Sequence, residues 1–260
     1  MRNQDPVVDV LQEYVKSPIE FTVELDIQAR LAELFRTELR QDGSLYAHFE
    51  NERVNYTQQL PNYKESYADH LIQKVDAIDE PFSRVHTEVT PYAELIEDVN
   101  RRERIDIVMF SETLKNPVNW RSGSQRHHWD DFEVAVEIKY IKNKSKVPAS
   151  INSTDILDAS MDELRSRVDL DANGIRPDLE ELARLPDSTD KYLILVSNLD
   201  YLYIGNLDDL DSTKQKRYQR LGHAAVKEIQ SIARDVNTIY AHPTGWQWLT
   251  GAGIENPCEP

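Results

Sequence analysis

The stretch FEVAVEIKYI, residues 132–141, decides how the chain is read. Ten residues rich in Val, Ile, Phe and Tyr predict a β-strand, in which side chains alternate between two faces. One face carries Val134, Val136, Ile138 and Tyr140; the other carries Glu133, Ala135, Glu137, Lys139 and Ile141. Glu137 and Lys139 therefore project side by side. They form either a same-face ion pair on a half-exposed sheet, worth a few tenths to about 1 kcal/mol, or part of an active site. A second segment bears on the choice. In RIDIVMF, residues 104–110, Asp106 stands between Ile105 and Ile107 in a run apolar enough for a central strand. A carboxylate is costly to bury there without a partner, and a metal ion would serve.

RIDIV followed by VEIKY resembles the PD-(D/E)xK phosphodiesterase superfamily, which has the restriction-endonuclease-like fold. The tripeptide alone is a weak signal, since twelve lysines and 46 acids in 260 residues supply about two by chance. Here Glu137-Ile138-Lys139 occurs once, in a strand that follows the one bearing Asp106. The resemblance implies an α/β (α+β) class, with a mixed β-sheet core flanked by helices. It implies Asp106 and Glu137 as ligands of Mg²⁺ or Mn²⁺, with the backbone carbonyl of Ile138 as a further oxygen, and Lys139 as the catalytic lysine. It also implies a glutamate on the first core helix, for which Glu24 and Glu33 are the candidates. At 100° per residue, Glu24 lies within about 20° of the Leu31 face and Glu33 about 160° from it, which favours Glu24, with Gln28 one turn on. The implied function is a metal-dependent nuclease that hydrolyses phosphodiester bonds, of DNA in the first place. The alternative is a catalytically inactive nuclease-fold protein acting as a nucleic-acid- or protein-binding assembly module.

Outward from these strands, residues 6–16 read as a short helix. SPIE then supplies Ser17 as N-cap, Pro18 at the first helical position and Glu20 at the third, a capping-box start. That helix should run to about Arg40, before the turn signal QDGS, with Ile27, Leu31, Leu34 and Phe35 at helical spacing. Residues 45–83 hold an irregular or hairpin-like segment and then a helical pattern, ESYADHLIQKVDAI. Strands are expected at 83–92, 104–110 and 132–141, with the polar run NPVNWRSGSQRHHWDD between the last two as a loop. Helical patterns follow at 155–168 and in RPDLEELARL, then a strongly apolar strand at 191–204. A long amphipathic helix at 213–236 precedes a tail, 237–260, with no clear regular structure. No Pro/Gly/Ser-rich linker interrupts the chain, so a single nuclease-like domain over 1–260 is expected, with its core at about 17–204 and insertions such as 112–131.

The charge is −16, from 46 acidic and 30 basic residues. A nucleic-acid partner needs a cationic surface, and on charge alone this chain does not offer one. Acid-rich, lysine-poor and cysteine-poor composition also resembles that of proteins from salt-loving archaea, and on that reading the charge reports habitat and solubility rather than partner. Four of the twelve lysines cluster in KYIKNKSK, where Lys142, Lys144 and Lys146 are either a phosphate-contacting edge or a solvated loop. KQKRYQR, with Lys214, Lys216, Arg217 and Arg220, places cations where a helix dipole disfavours them, which suggests an external anion. His127 and His128 read as loop histidines with a DNA contact, and Trp246 and Trp248 as a cap on the core. Cys258 is the single cysteine, so an internal disulfide and a cysteine metal cluster are excluded. No apolar run reaches the 18 or so residues of a membrane span, and the first residues lack the apolar core of a signal peptide. A cytoplasmic protein without a small-molecule cofactor is expected, and a homodimer would provide two sites for cutting both strands.

Overall fold

The computed structural model describes residues 6–21, 23–55, 81–92, 104–121, 124–141, 154–171, 174–197, 202, 213–233 and 235–251. Five α-helices fall among them: α1 (Pro6–Lys16), α2 (Glu24–Asp42), α3 (Met161–Arg165), α4 (Ile175–Arg184) and α5 (Thr213–Ile232). The strands are β1 (Tyr46–Phe49), β2 (Val54–Asn55), β3 (Phe82–Ser83), β4 (Val85–Val89), β5 (Pro91–Tyr92), β6 (Ile105–Phe110) and β7 (Thr113–Leu114). They continue with β8 (Val118–Arg121), β9 (Ser124–His128), β10 (Phe132–Ile141), β11 (Asp190–Ser197), β12 (Asn237–His242) and β13 (Gly245–Thr250). The class is mixed α/β with mixed sheets. The chain divides into two compact units, one of residues 1–30, 137–184 and 191–260, the other of residues 31–136 and 185–190. The strand β10 starts in the second and ends in the first.

In the first unit, α1 buries Val7, Val10, Leu11 and Tyr14, a spacing that puts one apolar stripe on a helix. Strand β11 pairs in parallel with β12, from Tyr192 opposite Asn237 to Val196 opposite Ala241. Strand β12 turns back into β13, with His242 opposite Gly245 across a two-residue turn. Residues expected to be an unstructured tail thus form a hairpin, in which Trp248 pairs with Ile239 and Trp246 with Ala241. A buried polar chain ties helix to strands: the Tyr14 hydroxyl donates to the Ser197 carbonyl at 2.6 Å, and Ser197 Oγ lies 2.8 Å from the Tyr240 hydroxyl. The expected helix at 155–168 is instead a 3-10 turn, Thr154–Leu157, followed by α3. Ser160 interrupts it because its side chain and Glu163 form a reciprocal capping box that starts α3 afresh. Ile156, Ala159 and Leu164 pack there against Leu221 and Ala224 of α5.

The start of α2 also differs from expectation. Pro18–Glu20 is a 3-10 turn in which the Ser17 side chain caps nothing. Phe21 then turns inward, edge-on to Tyr14 at 5.8 Å. The helix begins anew at Glu24, where the Asp26 carboxylate accepts from the Val23 N–H at 3.0 Å. Burying an aromatic ring won over continuing the helix.

In the second unit, β4, β6 and β10 form an antiparallel meander, with Thr87 opposite Ile107 and Val136 opposite Ile107 on the other side. The segment expected as a loop between β6 and β10 contains the hairpin β8–β9, which pairs Asn119 with Arg126 and Trp120 with Gln125. Strand β9 adds β5 in parallel, and β8 adds β2. Arg84 is 4% exposed and donates to the Phe110 carbonyl at 2.7 Å and the Ser44 carbonyl at 3.1 Å, with a third bond to Glu133. Asp131 is buried as well, and accepts from the N–H groups of Lys115 and Asn116. The helical pattern ESYADHLIQKVDAI lies outside the described residues.

Candidate active site

Both faces of β10 are covered through its middle. Val134 to Ile138 are buried, and only Glu133 on the expected wet face is exposed. Glu137 is 4% exposed, so a solvated ion pair on a half-exposed sheet is not its setting. Two residues on, the Lys139 ammonium lies 2.9 Å from Asp178 Oδ2, with side chains 25% and 15% exposed. Asp178 sits in the first turn of α4, where the partial positive end of the helix favours a carboxylate. Ile175, Leu179 and Leu182 bury the opposite stripe of α4 and fix its rotation.

The geometry needs Gly174. That residue precedes α4 with φ at +76°, which favours glycine, and a Cβ on it would stand 3.4 Å from Lys139 Nζ and 3.8 Å from Asp178 Oδ1. The Gly174 carbonyl also accepts the Asp178 N–H at 3.1 Å, closing the first turn of the helix. Glu24 completes the group. Its Oε2 accepts from the Tyr140 N–H at 3.1 Å, next to Lys139 on β10. The Tyr140 hydroxyl donates to the Phe21 carbonyl at 3.4 Å, so the strand end is held at both backbone and side chain.

Burial alone would lower the pKa of Lys139, but the carboxylates of Asp178, Glu24 and Glu137 outweigh it and hold the ammonium above its ordinary value. Asp178 is also raised. Its burial costs more than the nearby Lys139 ammonium returns, and the Glu24 charge adds to the shift. The result is one ammonium among three carboxylates in a partly desolvated place.

Asp106 lies in β6, half-buried between the fully buried Ile105 and Ile107. The ladder pairs Val108 with Ala135 and Ile107 with Val136. By alternation Asp106 projects from β6 on the side of Val108. Ile138 is fully buried in β10. Gln28 is buried one turn beyond Glu24, and Glu33 is exposed, the arrangement expected from helical spacing.

The other sequence candidates separate. Lys142, Lys144 and Lys146 lie outside the described residues, as does the side chain of Lys214. Lys216 and Arg217 are half-buried on α5. Arg220 is not an anion ligand: its guanidinium donates to the Leu157 and Ala159 carbonyls and holds the 3-10 turn to α5. His127 is not a loop residue. It lies in β9, buried against Phe110 with ring centroids 4.9 Å apart, and burial pulls its pKa down to about 3. His128 caps the following turn by accepting from the Asp130 N–H at 3.3 Å. Asp178 and Gly174 escaped the sequence reading. The run Asn173-Gly174, then Pro177-Asp178, signals a helix start, but nothing local says which lysine the acid meets.

Among the described residues, no group of three or more His, Cys, Asp or Glu side chains is disposed to hold a metal ion. No helix among them is long and apolar enough to cross a membrane. Compared with protein-family models, curated proteins and solved structures, the chain matches none.

Proposed function

We propose that the chain is a metal-dependent nuclease that hydrolyses phosphodiester bonds, DNA first among its substrates, on a restriction-endonuclease-like core. The observation that carries this reading is Lys139, held at 2.9 Å by Asp178 on the strand that buries Glu137, as one cation among three carboxylates. Carboxylates gathered around an ammonium, partly out of water, are the donor type a hard divalent cation takes. The chain order of α2, the meander β4–β6–β10, α4, β11, α5 and β12 also supports the fold.

The donor chemistry fits Mg²⁺ or Mn²⁺. These hard ions take oxygen ligands and retain waters, so one or two carboxylates suffice and a cage of three is not required. By resemblance to the motif, Glu137 and Asp106 would hold the ion, with the Ile138 carbonyl as a third oxygen. When bound, the ion supplies an acidified water and offsets charge on the phosphate. Lys139, kept as an ammonium by its neighbours, donates hydrogen bonds to the attacking water or to a phosphoryl oxygen as charge grows there. Glu24 fixes the backbone of β10 beside Lys139 through the Tyr140 N–H. Lys142, Lys144, Lys146, Lys214 and Arg217 are the proposed contacts to the nucleic-acid backbone, a homodimer the proposed form for cutting both strands, and the cytoplasm of a salt-adapted cell the proposed setting.

An inactive binding or assembly module is the competing reading, and the presence of Asp106, Glu137 and Lys139 together favours the enzyme. The test is conversion of supercoiled plasmid to open or linear forms with Mg²⁺ or Mn²⁺ in molar KCl. Wild type should cut, and Asp106→Ala and Lys139→Ala should each cut at least about 100-fold more slowly. Wild type that never cuts with any divalent metal, or variants that cut equally well, would end the enzyme reading.

A further inference from the structure

A lysine side chain has four rotatable carbons, and an ammonium that acts at one point must be kept from sampling the rest. The molecule supplies a restraint for Lys139 that the nuclease motif does not include. We propose that Asp178 is a positioning residue for Lys139: it anchors the amine against the first turn of α4, in a space that Gly174 leaves open.

Three features support this. The Nζ–Oδ2 separation is 2.9 Å, with both side chains largely out of water. Asp178 is itself held, because its N–H bonds the Gly174 carbonyl at 3.1 Å and the buried Ile175, Leu179 and Leu182 lock the helix that carries it. Gly174, which the amine packs against, holds a left-handed φ of +76°, a backbone conformation that favours glycine. Arg165, for comparison, pairs with Glu228 at 3.0 Å between two helices, and Arg176 shares that carboxylate at 3.4 Å. The inference rests on the nuclease reading for its functional meaning, while the anchoring of the amine stands on geometry.

The experiment uses the full chain as wild type, Asp178→Asn, Asp178→Glu and Gly174→Ala, each checked by circular dichroism for an intact fold. Two quantities are read: the rate at which an acylating reagent labels Lys139, followed by peptide mass spectrometry, and the kcat and KM of plasmid cleavage. In Asp178→Asn, labelling of Lys139 should quicken at least fivefold while other lysines keep their rates. Its kcat should fall at least tenfold with KM within twofold of wild type, and Asp178→Glu should recover part of both changes. Gly174→Ala should move both readouts in the same direction as Asp178→Asn. Unchanged labelling in Asp178→Asn overturns the proposal, and so does quickened labelling with unchanged kcat, which would leave Asp178 a purely structural partner. Wild type that fails to cut removes the nuclease reading instead, and labelling alone then decides whether Asp178 anchors the amine.

Discussion

Two cations reach into the protein, Arg84 from the bend between β3 and β4 and Lys139 from β10, and their surroundings differ. Arg84, in the second unit, has a guanidinium whose donors go to two backbone carbonyls and to Glu133. One positive charge meets one carboxylate, and the planar fork uses the remaining donors on neutral oxygens. Lys139, in the first unit, feels three carboxylates: Asp178, Glu24 and Glu137. A structural cation is balanced and saturated with hydrogen bonds. Among the described residues Lys139 feels more than one carboxylate, which holds its ammonium above its ordinary value. Buried acids repeat the contrast, since Asp131 is satisfied by two backbone N–H groups whereas Glu137 shares its neighbourhood with an ammonium and other acids.

The largest stability effect expected from this comparison is at Arg84. Arg84→Met should cost about 3 kcal/mol in urea unfolding, because the Phe110 and Ser44 carbonyls lose their donor inside the protein. An equal loss from Lys139→Met would erase the distinction between the two sites. A smaller effect concerns His127, part of the same saturated interior. Its folded pKa, about 3, lies below the unfolded value near 6.5, so its contribution is fully present above pH 6.5. As pH falls below 6.5 the unfolded chain takes up a proton that the folded chain refuses, and stability drops by about 1.4 kcal/mol per unit. Unfolding midpoints between pH 7 and pH 5 should therefore slope downward in wild type and flatten in His127→Phe. An unaltered slope would contradict a neutral, buried His127.

Much of the meander and part of the candidate site were legible in the sequence because they rest on local rules. Alternation along FEVAVEIKYI placed Glu137 and Lys139 together, and helical spacing separated Glu24 from Glu33. The hairpin β8–β9 was not legible. Arg, Gln, Ser and His dominate it, so it carries the composition of a loop, and its order comes from pairing with β2 and β5 and from burying His127 against Phe110. Helix starts were misplaced where a tertiary contact outweighed a capping signal, as at Phe21. Asp178 was hidden for a different reason: an ion pair between a strand and a later helix leaves no periodic trace. The tail hairpin had a signal, the turn at Pro243-Thr244, between two segments too short to stand out.

The most direct test of the contrast between a saturated cation and one beside several carboxylates is calorimetric titration of the metal-free protein with Mn²⁺ in KCl. Binding at one site per chain is predicted for wild type and for Arg126→Gln, a half-buried strand position in the second unit, and its loss for Glu137→Gln. Equal heats from wild type and Glu137→Gln, or no heat from either, would contradict the claim that the carboxylates around Lys139 are arranged for a divalent cation.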